Sequence, residues 1–180
     1  EPKPIEAGIA RSALMIIDTQ NDFLAAEGWF AKSRNADVSR LSDIIGQINA
    51  LSDAFRGTGA PVIHINWAVR PDVANLPANV LDKGSDCDAR PGYGDDISSG
   101  RVLVDGDWGA QSVTSIDVDI RDISVGKTRL TDFRDNELDS ILRRLGVTTL
   151  FFTGVNLNRC VLATLADGCG FHGARVHIEV

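Results

Sequence analysis

What most constrains this chain is the alternation of short apolar runs with helical patterns along its length. Ala13-Leu14-Met15-Ile16-Ile17 is a continuous apolar run ending in Asp18. A strand that is apolar at every position needs cover on both faces, so it reads as a buried parallel strand. Asp37 can cap a helix running through about Phe55, with Leu41, Ile44, Ile45, Ile48 and Phe55 on one face. Gly57, Gly59 and Pro61 stop that helix, and Val62-Ile63-His64-Ile65 reads as a second strand. Ile123-Ser124-Val125 leads into Gly126-Lys127 as a third main strand. Leu138, Ile141, Leu142 and Leu145 mark an amphipathic helix stopped by Gly146. Thr149-Leu150-Phe151-Phe152-Thr153 is a fourth strand ending at Gly154. A mostly apolar helix runs from near Asn158 or Cys160 to about Gly168, and 174–180 is a last strand.

This order predicts an α/β fold of three layers, α-β-α, around a central, mostly parallel, Rossmann-like sheet. A length of 180 residues fits one domain, 1–180, with a substantial core. Ligands of such sheets bind beyond the C-terminal strand ends. Asp18, Lys127 and the segment before Cys160 all follow predicted strands, so three reactive side chains far apart in sequence converge on one rim. From Trp67 to about Asp107 the pattern fails, with Pro71, Pro77, Pro91 and several Gly and Asp residues. Loops this long are usually functional or mobile. Val102-Leu103-Val104 reads as a short strand inside it.

Composition narrows the function classes. Lys and Arg number 18 against 25 Asp and Glu, a formal charge of -7, which argues against nucleic acid as a partner. No apolar run approaches the roughly 18 residues of a membrane span. Glu1-Pro2-Lys3-Pro4 carries no signal-peptide pattern, and the absence of an initiating Met is what a trimmed chain would show. Three cysteines, Cys87, Cys160 and Cys169, make no even disulfide set and contain no CxxC pair, so a reducing, cytoplasmic setting is expected.

Cys160 sits where a helix begins, where free N–H groups, the helix dipole and a nearby Lys would stabilise a thiolate. The same position also suits a buried, inert cysteine. Cys169, nearly half a turn away, reads as packing, and Cys87 in the irregular loop as surface or packing. Asp18 is either a turn residue or a carboxylate able to take a thiol proton and deliver it to a leaving amine. Lys127 is either a solvated charge or a cation holding both anions.

Several segments carry a specific resemblance. Asp18-Thr19-Gln20-Asn21-Asp22-Phe23, Trp108-Gly109-Ala110-Gln111, Lys127-Thr128-Arg129-Leu130-Thr131-Asp132-Phe133 and Gly154-Val155-Asn156-Leu157-Asn158-Arg159-Cys160-Val161 resemble, in order and rough spacing, the signatures of the isochorismatase-like cysteine hydrolases. The resemblance implies a catalytic triad of Asp18, Lys127 and Cys160. It also implies an oxyanion hole from the backbone N–H groups of Asn156 and Cys160, and a non-proline cis peptide at Val155–Asn156. The implied activity is hydrolysis of a C–N bond in a small amide, carbamoyl compound or lactam through a Cys160 thioester, without a cofactor. Members of the family are commonly oligomers, so a homodimer or tetramer is expected. The alternatives are the vinyl ether hydrolysis of true isochorismatases, which do not use the nucleophilic Cys, and a non-enzymatic binding or redox-sensing protein on the same fold.

Departures from the family pattern add further expectations. Asn156-Leu157 stands where a small residue and Thr are usual, which changes the pocket wall at Leu157. Nicotinamidases of the family carry Asp, Trp and His in succession after the second strand. Here Asn66-Trp67-Ala68 lacks two of those ligand types, so no catalytic metal is expected. His64, His172 and His177 show no metal spacing and read as structural or surface residues. Many members also continue past the point where this chain ends. Phe23, Trp29, Trp67, Trp108 and Phe133 are candidates for the pocket wall or for the core. The acidic stretch 82–96, with Asp86, Asp88, Asp95 and Asp96, could reach the rim and attract a cationic amide.

Overall fold

The computed structural model describes residues 8–84, 90–172 and 175–178. Among them, five strands form one sheet: β1 (Ser12–Ile17), β2 (Val62–Trp67), β3 (Ile123–Lys127), β4 (Thr149–Gly154) and β5 (Arg175–Ile178), in the order β3-β2-β1-β4-β5. Every neighbouring pair is parallel. β1 lies at the centre and is buried at every position, as its unbroken apolar run predicts. Helices flank the sheet, and the expected mostly parallel α/β architecture is the one found. No helix among the described residues is long and apolar enough to cross a membrane.

The expected helix from Asp37 to Phe55 is divided. Asp37 Oδ1 accepts from the Ser39 N–H at 2.9 Å and starts a single turn, Ser39–Ser42; the main helix is Ile45–Thr58. Ile45, Ile48 and Phe55 face the core, and Gly59 closes the helix in the left-handed conformation at φ 77°. The helix Leu138–Arg144 buries Leu138 and Leu142. Leu145, expected on its apolar face, is 45% exposed, because the chain has already turned toward Gly146 at φ 67°. After β4 the chain makes a wide π-helical turn, Leu157–Val161, before the α-helix Leu162–Asp167.

The irregular stretch is more structured than its composition suggests. It holds a helix, Ala78–Gly84, and a two-residue hairpin pairing Asp96–Ile97 with Gly100–Arg101. Val102-Leu103-Val104 is not a strand. It is buried, but Leu103 has φ 56°, and its N–H donates to Asp22 Oδ2 at 2.8 Å instead of to a neighbouring strand. Cys87, Asp86 and Asp88 lie outside the described residues, as do the side chains of Asp82, His172 and His177. Cys169, expected to pack, is exposed in a second wide turn, Gly168–His172. His64 is buried against Asp122 (Nε2 to Oδ2, 3.1 Å), a structural role as expected.

Candidate active site

The site forms where β1, β3 and β4 end. Asp18 leaves β1 in the left-handed region at φ 54°, with its N–H still bonded to the Ile65 carbonyl at 2.9 Å. Gly154 ends β4 at φ 115° directly beside Ile17, where an added Cβ would lie 2.0 Å from the Ile17 carbonyl oxygen. Only glycine meets both demands. This close approach carries the turn after β4 across the end of β1 and places Cys160 beside Asp18. The Val155–Asn156 peptide is cis, as the resemblance implies.

The rest of the Asp18–Phe23 segment fastens loops to the sheet. Gln20 Nε2 donates to the carbonyls of Trp67 (2.9 Å) and Ala110 (2.7 Å), while its Oε1 accepts from the Trp67 N–H at 2.9 Å. Asn21 Nδ2 donates to the Trp108 carbonyl at 2.8 Å. Asp22 accepts from the backbone N–H groups of Trp29 (3.1 Å) and Leu103 (2.8 Å). Gly109 packs on the Asp22 carboxylate. The Trp108–Gln111 segment is therefore a partner of the first motif, and Trp108 itself is 38% exposed and outside the cavity.

Lys127, at the end of β3, is buried with its Nζ 2.9 Å from Asp18 Oδ2 and 2.9 Å from Asp132 Oδ1. Both are charge pairs closed off from water, since all three side chains are buried. The Trp67 ring lies beside the ammonium, its centroid 5.4 Å away. Burial alone would lower the Lys127 pKa, but Asp132, Asp18 and Cys160 outweigh it and hold the ammonium well above its usual value. Burial raises Asp18, partly offset by Lys127 and by contact with the Cys160 thiol. Asp132 is pushed up to about 7 by burial, against the pull of Lys127. Burial, then the Asp18 charge, push the Cys160 thiol up despite Lys127. Burial thus opposes the thiolate that the helix start and the nearby Lys127 would favour. The thiol needs a base, and Asp18 is within its reach.

Asp18 and Cys160 line a cavity of about 800 Å³. Of the expected wall residues, Phe23, Trp29 and Leu157 line it, as does Asn156. Trp67 stands behind the wall, buried, with its ring centroid 4.7 Å from that of Tyr93. Phe133 packs instead near Gly168 and Leu150. Asp95 and Asp96 do not line the cavity; Asp95 Oδ2 accepts from the Gly92 N–H at 2.7 Å. Among the described residues, Arg34, Asp37 and Arg159 are the charged side chains at the mouth. Tyr93, Phe30, Arg34, Leu130 and Arg159 line the cavity and Asp132 lies behind it, none of them expected there. Among the described residues no group of His, Cys, Asp and Glu is arranged to hold a metal ion. Asn66 Nδ2 donates to Ser112 Oγ at 3.0 Å, and Ala68 offers no donor atom.

Comparison with known proteins agrees with this geometry. Residues 12–178 match the model of the isochorismatase domain family. The ureidoacrylate amidohydrolase RutB of Yersinia enterocolitica is 32% identical over 179 residues, covering 99% of this chain and 77% of that protein. A cysteine hydrolase from Pseudomonas syringae superposes with a TM-score of 0.77 at 22% identity, over 99% of this chain and 76% of that one. An isochorismatase family protein from Desulfovibrio vulgaris gives 0.72 at 26% identity, over 93% and 78%. With the family match running nearly end to end and the strand-end cluster in place, the chain belongs to the isochorismatase family.

Proposed function

We propose that the chain is a cysteine-dependent hydrolase of C–N bonds in small amides or carbamoyl compounds, acting as one hydrolase domain over 1–180. The observation that carries this reading is the meeting of Asp18 and Cys160 in one cavity, with Lys127 ion-paired to Asp18 behind them. A protonated thiol beside a carboxylate suits the following sequence. Asp18 takes the Sγ proton as the sulfur attacks the carbonyl carbon, and the oxyanion is held by the backbone N–H groups of Asn156 and Cys160. The C–N bond breaks as Asp18 returns the proton to the departing nitrogen, leaving a thioester. Water, losing a proton to Asp18, attacks the thioester, and the same proton restores the thiol as the acid is released. Lys127 keeps one positive charge beside Asp18 throughout.

We infer an anionic substrate from Arg159, which is exposed at the cavity mouth. Asp37 stands there too, Arg34 packs over the Trp29 ring, and neither Asp95 nor Asp96 lines the cavity. An arginine can grip a substrate carboxylate with charge-assisted hydrogen bonds. The name of the Yersinia relative, a ureidoacrylate amidohydrolase, agrees with a ureido acid in that place. A cytoplasmic homo-oligomer remains the expected setting. The test is an amide panel scored by ammonia or amine release, including N-carbamoyl acids, neutral amides and cationic amides. Release from no member by wild-type protein would retire the reading.

A further inference from the structure

The ion cluster behind the cavity holds more carboxylate than its cation balances. Asp18 and Asp132, both buried, share the single ammonium of Lys127 at 2.9 Å each. In a dry interior an unbalanced charge is strongly disfavoured, so such a cluster retains a proton. Asp132 is also tied to the segment that bears the thiol. Its backbone N–H donates to Thr164 Oγ1 at 3.2 Å, and that hydroxyl donates to the Cys160 carbonyl at 2.6 Å.

We propose that Asp132 is a positioning residue for the thiol chemistry: it shares Lys127 with Asp18, fixes the ammonium between the strand ends, and keeps one proton inside the cluster. The use made of the thiol rests on the function proposed above; the charge arrangement does not. The titratable groups facing Asp132 are Lys127 from β3, Asp18 from the end of β1 and Cys160 from the turn after β4. Arg129 and Arg134, its neighbours in sequence, are paired with Asp135 and Asp167. With Asp132 protonated, one carboxylate matches one ammonium and the cluster is neutral. Once the shared proton is lost, a second negative charge stands near Cys160 and makes its thiolate harder to form.

The test is the rate of Cys160 alkylation by iodoacetamide against pH. It uses wild-type protein and Asp132→Asn, with Cys87 and Cys169 changed to Ser in both. Asparagine keeps the shape of the side chain and removes its charge. The thiol titration midpoint of Asp132→Asn should lie about one pH unit or more below that of the Asp132 protein, the size expected when a like charge is removed from close by. Equal midpoints in two folded proteins would overturn the proposal. Should the Asn protein not fold, the profile of the Asp132 protein decides. An inflection below the thiol's own midpoint, where the cluster loses its shared proton, is expected, and a single smooth titration overturns the proposal. Alkylation needs no turnover, so a failed amide panel beside a shifted midpoint would retire the enzyme reading alone. Equal midpoints beside intact turnover would retire only the role of Asp132.

Discussion

Gly109 and Asp22 touch with no room for a side chain between them: a Cβ on Gly109 would lie 2.2 Å from Asp22 Oδ2. That carboxylate holds the N–H groups of Trp29 and Leu103, so any shift loosens one wall of the cavity and the loop behind it. Gly109→Ala should therefore destabilise the fold by about 1–3 kcal/mol, the usual range for overpacking. The midpoint of urea unfolding reads it, and an unchanged midpoint would show that the loop yields freely.

Replacing Cys160 with Ala should lower amide turnover by about 10⁴-fold or more while the circular dichroism spectrum stays the same, as for loss of an attacking nucleophile. Cys169 is exposed and does not line the cavity, so Cys169→Ser should keep near wild-type turnover. Near wild-type rates in the purified Cys160→Ala protein would end the nucleophile assignment.

Arg159 is exposed at the cavity mouth. Arg159→Ala should raise KM for an N-carbamoyl acid about tenfold, the worth of one charge-assisted hydrogen bond, with little change for a neutral amide. The preference for the acid should weaken as salt is added. An equal effect on both substrates would make Arg159 a structural residue of the rim.

Burial holds the His64 pKa below its ordinary 6.5 even though Asp122 faces it. The unfolded chain therefore binds more protons at this site than the folded one between that lowered value and about 6.5. The stability His64 contributes is present above 6.5 and is lost as pH falls through that window. Asp122 is held below its ordinary 3.8 despite burial, by Arg56, the Asp119 N–H and His64, so its contribution is lost only at more acidic pH and stays constant through the His64 window. The difference in urea midpoint between wild type and His64→Gln should thus shrink when the pH is lowered from about 8 to about 5.5. A difference that stays constant would mean His64 keeps the same proton in both states.

Activity should survive dialysis against a strong chelator. Asn66, near the end of β2, has its amide nitrogen engaged by Ser112, and Ala68, just after the strand, carries no ligand atom, so the Asp and His of the nicotinamidase pattern have no equivalent here. Loss of activity on chelation, with recovery on adding zinc, would refute this.

The strands and the convergence of Asp18, Lys127 and Cys160 were legible because burial on both faces demands an unbroken apolar run. In such a sheet, strand ends gather whatever follows them. Tyr93 and Arg34 were not legible, because no periodicity reports which loop folds back over a rim. Leu103 misled for a related reason: a buried apolar triplet reads as a strand, but its N–H is satisfied by an aspartate 81 positions earlier. Asp132 stood in plain view within the lysine segment. Its partner lies five residues away across a turn, and a carboxylate in a Thr-Asp turn looks like surface until its burial is seen.

Gln20 explains how β1 can end so abruptly. Its side-chain amide offers the Trp67 peptide one acceptor and one donor, the same pair that a further residue of β1 would have offered. The side chain thus acts as a surrogate peptide and extends the ladder by one rung after the main chain has left it. Freed from that duty, the backbone at Asp18 can swing into its left-handed turn and aim the carboxylate at its neighbours, while the Trp67 N–H and carbonyl on β2 keep their partners.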